Sequence, residues 1–293
     1  MQTVISSATR TVTIGPEEPF CIIGERINPT GRAKFQEQLR AGDLSRIEVD
    51  VAQQLAGGAM VLDVNMGVPL TDEAELLCSA VKLVQGLTDL PLVIDSSVVG
   101  ALEAALEVYQ GKPLVNSVTG EQERLDEILP LVRRYGAAVI ALPNEEDEIP
   151  DDPRKRLDIT RKIIDVAVGQ YDIPLADIVI DPLAMPIGAD TTLVNKTLDT
   201  IALIHEEFGV NMTLGAGNVS FGMPNRAVLG ATFLPIAMRC GLTSAIMDAR
   251  SPVMVEAVKA GDLLLGNDDW GANWIAAHRA KLRAAAEAGI AAP

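Results

Sequence analysis

The stretch MVLDVNMGVPLTDEAELLCSAVKLVQGLTDLPLVIDSS, residues 60–97, decides the fold. It starts and ends with short aliphatic runs, MVLDVN at 60–65 and LVIDSS at 92–97, which are typical of buried β-strands. Between them, apolar residues recur with helical spacing after Thr71 and Asp72, which can cap the first turn of a helix. Strand, helix and strand in this order predict two parallel strands covered by a helix.

The same alternation continues in both directions along the chain. Six further apolar runs of strand length are CIIGERIN, PLVNSVT, AAVIALPN, IVIDPL, MTLGAGNVS and SAIMDA, at residues 21–28, 113–119, 137–144, 178–183, 212–220 and 244–249. Helical patterns separate them, and the pattern from Phe35 to Leu55 stops before Gly57 and Gly58. Eight such strands in 293 residues, close to the ~250 residues of one closed barrel, predict an α/β protein with a (β/α)₈ TIM barrel.

An open doubly wound sheet is the alternative architecture. It needs a GxGxxG turn after the first strand, but residues 24–31 read GERINPTG. We therefore expect a single domain with a barrel at 20–267, an N-terminal extension at 1–19 that forms a hairpin or plug beneath it, and a C-terminal helix at 268–293. The acidic run NEEDEIPDDP at 144–153 is interpreted as a solvated surface loop.

Composition restricts the partners and the location of the protein. The 40 acidic and 24 basic side chains give a formal charge of −16, which repels nucleic acid and anionic membranes. Residues 1–15 lack a signal-peptide pattern, and no apolar run approaches the ~20 residues of a membrane-spanning helix. We expect a cytoplasmic protein that binds neither nucleic acid nor membrane. Cys21, Cys78 and Cys240 are widely spaced among apolar neighbours, which indicates reduced thiols.

Polar side chains occur at the end of nearly every predicted strand, where the reactive face of such a barrel is built. They are Glu25, Asn28, Asp63, Asn65, Asp95, Ser96, Asn116, Ser117, Asn144, Asp181, Asn218, Ser220 and Asp248. Any one of them can be an ordinary helix cap or turn residue. Asp63, Asp95, Asn116 and Asp181, however, lie inside or at the edge of an apolar run, where a polar group is buried and needs a partner.

The chemistry of this set favours a particular kind of ligand. Acids and amides, with little positive charge nearby except Arg26, Arg32 and Arg226, suit a neutral nitrogen-rich ring such as a 2-amino-4-oxo pterin. His205 and His278 fall in predicted helices as surface residues, and no Cys/His spacing indicates a bound metal. The Asp-x-His-x-x-Gly pattern of corrinoid carriers does not occur in these 293 residues, so we expect any corrinoid to arrive on another protein.

The segments GERINPTGR, LDVNMG, VIDSS, VNSVTGE, VIDPL and GAGNVSFGMPNR together resemble the pterin-binding methyltransferase family. That family includes methyltetrahydrofolate:corrinoid protein methyltransferases, the folate module of cobalamin-dependent methionine synthase, and the second methyltransferases of O-demethylase systems. The matches run in order from residue 22 to about residue 250. The resemblance implies a barrel like that of dihydropteroate synthase, a tetrahydrofolate substrate, a corrinoid-carrying partner protein and a homodimer.

The resemblance also implies roles for individual residues. Asp95, Asn116 and Asp181 would hold the pterin ring, and Asn218 would be the catalytic residue that reaches the pterin N5. The remaining residues implied to form the pterin site or its adjoining loop are Asp63, Asn65, Ser96, Ser220, Asn225 and Arg226. The chain departs from its relatives at Ala216-Gly217, where Leu-Ser is common.

Two alternatives to a methyltransferase stay open at this point. Dihydropteroate synthase shares the barrel, but it carries NVTPDSFSDGG after its first strand and a Ser-Arg-Lys element in its seventh. This chain has ERINPTGR and GAGNVSFG in those places and so lacks the cations that would meet a diphosphate. A non-catalytic pterin-binding barrel is the other alternative.

Overall fold

A computed structural model describes residues 1–145 and 149–287. Within them a short antiparallel hairpin, β1 (Thr3–Ser6) and β2 (Thr11–Ile14), precedes the barrel. The barrel strands are β3 (Cys21–Ile27), β4 (Val61–Asn65), β5 (Leu92–Asp95), β6 (Leu114–Thr119), β7 (Ala138–Leu142), β8 (Ile178–Ile180) and β9 (Ser244–Met247). The helices are α1 (Ala33–Arg40), α2 (Ser45–Gly57), α3 (Glu73–Leu87), α4 (Val99–Val108), α5 (Gln122–Tyr135), α6 (Pro153–Tyr171), α7 (Leu193–Phe208), α8 (Arg226–Cys240), α9 (Pro252–Leu265) and α10 (Ala272–Glu287).

The seven barrel strands pair in the order β8-β7-β6-β5-β4-β3-β9, and every pair is parallel. Residues 211–216 close the ring between β8 and β9. The Ile180 amide donates to the Asn211 carbonyl at 2.9 Å, and the Ile246 amide donates to the Leu214 carbonyl at 2.9 Å. The (β/α)₈ prediction is therefore confirmed.

The seventh of the eight predicted strands, at residues 212–220, is only partly formed. Its first half is held only by isolated bridges to the two neighbouring strands. Its second half leaves the sheet, because Asn218–Ser220 forms a 3₁₀ turn in which the Asn218 amide donates to the Gly215 carbonyl at 3.0 Å. Two of the polar residues at this strand end therefore lie on a turn.

Side chains of the strands divide between two apolar cores according to the alternation of a β-strand. On β4, Leu62 and Val64 join the outer core between strands and helices, whereas Val61 joins the inner core of the barrel. The odd-numbered positions of β4 therefore point into the barrel. The same comparison on β5, β6 and β8 directs Asp95, Asn116 and Asp181 inward, since Val93, Leu114 and Val179 belong to the inner core.

The hairpin closes the N-terminal end of the barrel. Ile5, Val12 and Ile14 pack in the inner core with the first residues of the strands. Asn211 fastens the hairpin to the closing segment, because its Nδ2 donates to the Ile14 carbonyl at 2.8 Å and to the Thr3 Oγ1 at 2.9 Å. A ligand therefore has to enter from the opposite end, where the strands finish.

One helix prediction needs correction. The pattern from Phe35 to Leu55 forms two helices, α1 and α2, rather than one. Gly42 adopts a left-handed φ of 73° that ends the first helix, and the Asp43 carboxylate accepts from the Ser45 amide at 2.9 Å to start the second. The predicted cap at Asp72 is confirmed, since its Oδ1 accepts from the Glu75 amide at 3.1 Å.

Several smaller expectations also meet the structure. The three cysteines are free thiols, and the two histidines are exposed on α7 and α10. Residues 146–148 of the expected acidic loop and residues 288–293 of the expected C-terminal helix lie outside the described residues. Within residues 1–145 and 149–287, no helix combines the length and the apolar character needed to cross a lipid bilayer.

The packing of the hairpin generates a stability prediction. Ile5 is completely buried, whereas its neighbour Val4 is 40% exposed on the same strand. We expect Ile5→Ala to lower the free energy of unfolding by about 2–5 kcal/mol because it leaves a cavity under the barrel. Val4→Ala is the matched control and should change it by less than about 0.5 kcal/mol. Urea unfolding measures the free energy of unfolding of both variants. Equal losses for Ile5→Ala and Val4→Ala would contradict the packing of the hairpin into the end of the barrel.

Candidate active site at the barrel mouth

A row of acids and amides crosses the mouth of the barrel at one level. In the register of the sheet, Asn65 of β4 lies beside Asp95 of β5, and Asp95 lies beside Asn116 of β6. Asp63 lies one inward-facing position below Asn65 and is 2% exposed. Neighbouring parallel strands are about 4.8 Å apart, so these side chains face one small volume.

Asp181 continues the set on the far side of β7. Its amide donates to the Ala141 carbonyl at 2.9 Å, which extends the pairing of β8 with β7 by one residue. Its carboxylate Oδ1 accepts from the Leu183 amide at 2.8 Å. The structure therefore brings together Asp63, Asn65, Asp95, Asn116 and Asp181, all of which the sequence singled out.

Burial raises the pKa of each of the three aspartates. For Asp63 the pKa lies well above its ordinary value, because of burial first and then the nearby Asp95 carboxylate. Burial raises the pKa of Asp95 to about 6, although the Asn65 amide opposes the shift. Burial also raises the pKa of Asp181 to about 7, against the effect of the Leu183 amide. The mouth thus holds carboxyl groups that can exchange protons near neutral pH.

Two acceptor atoms at the mouth lack a partner. Asp63 Oδ1 and Asn144 Oδ1 are buried and receive no hydrogen bond from any residue in the described part of the chain. A buried acceptor without a donor is costly, and such atoms commonly mark the position of a ligand group or an ordered water. The mouth therefore offers polar atoms that a ligand can hydrogen-bond.

Asn218 is positioned by the turn that replaces the end of the seventh strand. A side chain at Gly215 would bring its Cβ within 2.9 Å of Asn218 Nδ2, so glycine leaves the room that the amide occupies. The Phe221 amide donates to the Asn218 carbonyl at 3.1 Å and closes the turn. The turn and Gly215 together leave the space that the Asn218 side-chain amide occupies.

Three other expected site residues are engaged within the protein. The Ser96 hydroxyl donates to Glu73 and accepts from the Val98 amide at 3.0 Å. Ser220 is 1% exposed and donates to the Gly217 carbonyl at 3.3 Å. Arg226 Nη2 donates to the same carbonyl at 2.7 Å. These contacts brace the loops around the mouth, and direct binding of a pterin by these residues stays a prediction.

Sequence reasoning gave no role to three residues that the structure brings into play. Glu73 accepts from Ser96, and Arg156 is completely buried behind the turn that follows Asp181. Glu73 lies in the first turn of α3, where acidic residues are common, so nothing in the sequence marks it as part of a functional site. Asn144 appeared among the strand-end residues without an assigned role.

Asp248 lines a cavity of about 940 Å³ outside the barrel, between α2, α9 and α10. It also lies near another strand-end acid, Glu25, whose pKa is raised by burial and then by the Asp248 carboxylate. Arg250 binds both carboxylate oxygens of Asp248, at 2.8 and 2.7 Å. Because the inward-facing acids and amides lie at the mouth, we place the candidate site there rather than in this outer cavity.

The profile of the family described as pterin binding enzyme matches residues 24–248, a span that includes β4 to β9 and every inward-facing residue of the mouth. The chain belongs to the pterin-binding enzyme family. The methylcorrinoid:tetrahydrofolate methyltransferase of Eubacterium limosum is 30% identical to this family member over 253 residues, which cover 84% of this chain and 92% of the relative. Methionine synthase of Mycobacterium tuberculosis is 30% identical over 259 residues, 84% of this chain but 22% of the synthase.

Solved structures of dihydropteroate synthases share the fold of this pterin-binding barrel. The Yersinia pestis enzyme with a pterine-sulfa conjugate superposes with a TM-score of 0.68 at 17% identity, covering 90% of this chain and 98% of that one. The Xanthomonas albilineans enzyme in complex with 7,8-dihydropteroate has a TM-score of 0.65 at 18% identity, covering 89% and 98%. At this identity the likeness concerns the fold.

Metal ligation is a separate question for this site. Among the side chains of residues 1–145 and 149–287, no group of three or more His, Cys, Asp or Glu is arranged to hold a metal ion. The expectation that the protein binds no metal stays a prediction.

The raised pKa of Asp181 generates a prediction about stability and pH. A carboxyl whose folded pKa of about 7 exceeds the unfolded value of about 3.9 keeps its proton in the folded state while the unfolded chain loses it. The free energy of unfolding therefore falls as pH rises through that window. Asp181→Asn retains the acceptor oxygen without the charge, so at pH 8 it should be more stable than wild type by about 1–2 kcal/mol.

Urea unfolding at several pH values measures this difference, which should shrink as the pH approaches 4. Asp199→Asn, on the exposed side of α7, is the matched control and should follow the wild-type profile. Parallel profiles for wild type and Asp181→Asn would contradict a buried charge at Asp181.

Proposed function

We propose that this protein is a methyltransferase that moves a methyl group between N5 of a tetrahydrofolate and a corrinoid carried by a separate protein. The observation that carries the proposal is the inward-facing set of Asp63, Asn65, Asp95, Asn116 and Asp181 directly above an apolar barrel core. This set forms a small polar lining that is closed from below, which is the kind of surface that a flat heterocycle requires.

The pterin ring matches the lining in hydrogen-bonding capacity. Its 2-amino-4-oxo pyrimidine edge offers N–H donors together with acceptors, and the partnerless Asp63 Oδ1 needs a donor. Asp95 and Asp181, with pKa values near neutrality, can accept as carboxylates or donate as carboxylic acids. A polyphosphate would instead meet several buried acids, which disfavours it electrostatically.

In the proposed transfer step the methyl group passes directly between N5 and the cobalt, so the protein forms no covalent bond to it. Methyl leaves N5 more readily when N5 carries a proton or accepts a hydrogen bond, because the nitrogen then becomes a better leaving group. The amide of Asn218 can donate to the unprotonated amine or accept from the protonated one by turning about its terminal bond. We assign it this role because a reorienting amide follows the charge as it develops.

The corrinoid supplies a cobalt centre that accepts or donates the methyl group, and it arrives on its carrier. The barrel contributes orientation: it fixes the ring from below, so that the methyl group faces the open mouth. The relative from Eubacterium limosum, which spans the whole barrel, is named for transfer from a methylcorrinoid to tetrahydrofolate. Its name supports the same pair of substrates here.

The remaining expectations complete the proposal. We infer one pterin-binding domain, with its barrel at 20–267, the extension at 1–19 and the C-terminal helix from 268. A corrinoid-carrying protein is the proposed partner, and homodimerisation and a cytoplasmic location stay predictions. Dihydropteroate synthase is the weaker alternative, because Arg226, a cation of the Asn218 loop, is bound to a backbone carbonyl.

Purified protein should catalyse methyl transfer between methylcob(III)alamin and tetrahydrofolate under anaerobic conditions. The absorbance of the cobalamin reports the reaction directly, and the reverse reaction starts from 5-methyltetrahydrofolate and reduced cobalamin. The comparison assay supplies a pterin diphosphate and 4-aminobenzoate, and we expect it to yield no dihydropteroate. Pterin binding without transfer in either direction would favour the non-catalytic barrel.

Asn218→Ala should reduce kcat about 10²-fold or more, because it removes the group that stabilises charge at N5. The affinity for 5-methyltetrahydrofolate should change much less, since the ring is held by the acids. Asn195→Ala, on the exposed face of α7, is the matched control. An unchanged kcat for Asn218→Ala would remove the proposed role of this amide.

A further inference from the structure

Arg156 is a buried arginine that lies behind the pterin site. It belongs to the first turns of α6, and its residue surface is 0% exposed. Its Nε donates to the Pro150 carbonyl at 2.7 Å. Its Nη1 donates to the carbonyls of Pro182 and Leu183, each at 2.9 Å.

These contacts grip the turn that directly follows Asp181. Leu183 has a left-handed φ of 62°, which is unfavourable for a branched side chain and persists only where the surroundings enforce it. The peptide unit between Pro182 and Leu183 makes both contacts: its N–H donates to Asp181 Oδ1 at 2.8 Å, and its carbonyl, that of Pro182, accepts from Arg156 at 2.9 Å. This peptide unit therefore links the guanidinium to the carboxylate.

The charge of Arg156 is unusual for its location. Among residues 1–145 and 149–287, no carboxylate lies within ion-pair distance of it. Burying an unpaired charge is costly, and a neutral side chain would avoid the cost if the carbonyl contacts alone mattered. The carboxylates that interact with this charge are those of Asp151 and Asp181.

Asp181 is the buried group on which this charge acts. Arg156 lowers the pKa of Asp181 and so opposes the larger effect of burial. The other charged groups near this corner are Asp151, which lies before α6 and is exposed, and Lys196 of α7, which is ion-paired with Asp151. Asp151 also interacts with the charge of Arg156, but that carboxylate is exposed to solvent, whereas Asp181 is buried.

We propose that Arg156 is a positioning residue for pterin binding: it fixes the 182–183 turn and its charge keeps Asp181 available as a hydrogen-bond acceptor at neutral pH. This role rests on the proposed function, in which Asp181 holds the pterin ring. The proposed role of Arg156 has two parts: a positioning part, due to the shape of the guanidinium, and an electrostatic part, due to its charge.

The test compares Arg156→Gln, Arg156→Lys and the control Arg161→Gln. Arg161 lies on the same helix, but it is exposed and paired with Glu207 and Asp158. Two measurements are made on each protein over a range of pH: the titration of the Asp181 carboxyl by carbon NMR without ligand, and the affinity for 5-methyltetrahydrofolate by calorimetry. Circular dichroism and thermal unfolding establish that each variant is folded.

In Arg156→Gln we expect the Asp181 midpoint to rise by roughly one pH unit above that of wild type. The affinity should then be about tenfold weaker at pH values below the wild-type midpoint, and this difference should shrink at higher pH as Asp181 ionises in both proteins. Arg156→Lys keeps the positive charge but loses the planar guanidinium that contacts both carbonyls. The Asp181 midpoint should therefore stay near that of wild type, while the affinity for 5-methyltetrahydrofolate falls at every pH. Arg161→Gln should match wild type in both measurements.

A folded Arg156→Gln with an unchanged Asp181 midpoint would overturn the electrostatic part of the role. If that variant does not fold, Arg156→Lys carries the test, and wild-type affinity in Arg156→Lys would overturn the positioning part. Failure of wild type itself to bind 5-methyltetrahydrofolate would count against the proposed function instead. The ligand-free carboxyl titration would still decide the coupling of Arg156 to Asp181.

Discussion

The alternation of side chains along parallel strands is the constraint on which this structure depends. It directs every second residue of a barrel strand inward, so an apolar residue below and a polar residue two positions later share one face. On β5 these are Val93 in the inner core and Asp95 at the mouth. The floor and the walls of the site are thus made by the same strands.

This arrangement gives the mouth its unusual acid–base character. Asp63, Asp95 and Asp181 are surrounded by protein, and burial raises the pKa of each. Such groups make the fold less stable than an amide or apolar residue would. Their retention at the one open end of a well-packed barrel is the pattern expected where binding, rather than stability, sets the residue. The hairpin core at the other end offsets part of that cost.

Arginines around the mouth serve the backbone more than the cavity. Arg32 donates to the Arg26 carbonyl near the end of β3, Arg156 to the turn after β8, and Arg226 to the Gly217 carbonyl before the Asn218 turn. Arg156 and Arg226 therefore hold the main chain next to Asp181 and Asn218. The inward positions are left to acids and amides, which distinguishes this mouth from one that binds a polyanion.

The sequence by itself determined the barrel and most of the acids and amides at its mouth, because an apolar run that ends in a polar residue is a local pattern. It also placed Asp63, Asp95, Asn116 and Asp181 inside or at the edge of apolar runs, where a polar group is buried; the structure then showed that all four face inward. The break at Gly42 and the turn at Asn218 replaced regular elements where single residues could satisfy the backbone differently. Only the tertiary structure decided the role of Arg156. That residue lies on a helix whose sequence gives no sign of burial, and its partners at Pro182 and Leu183 meet it only when α6 packs behind β8.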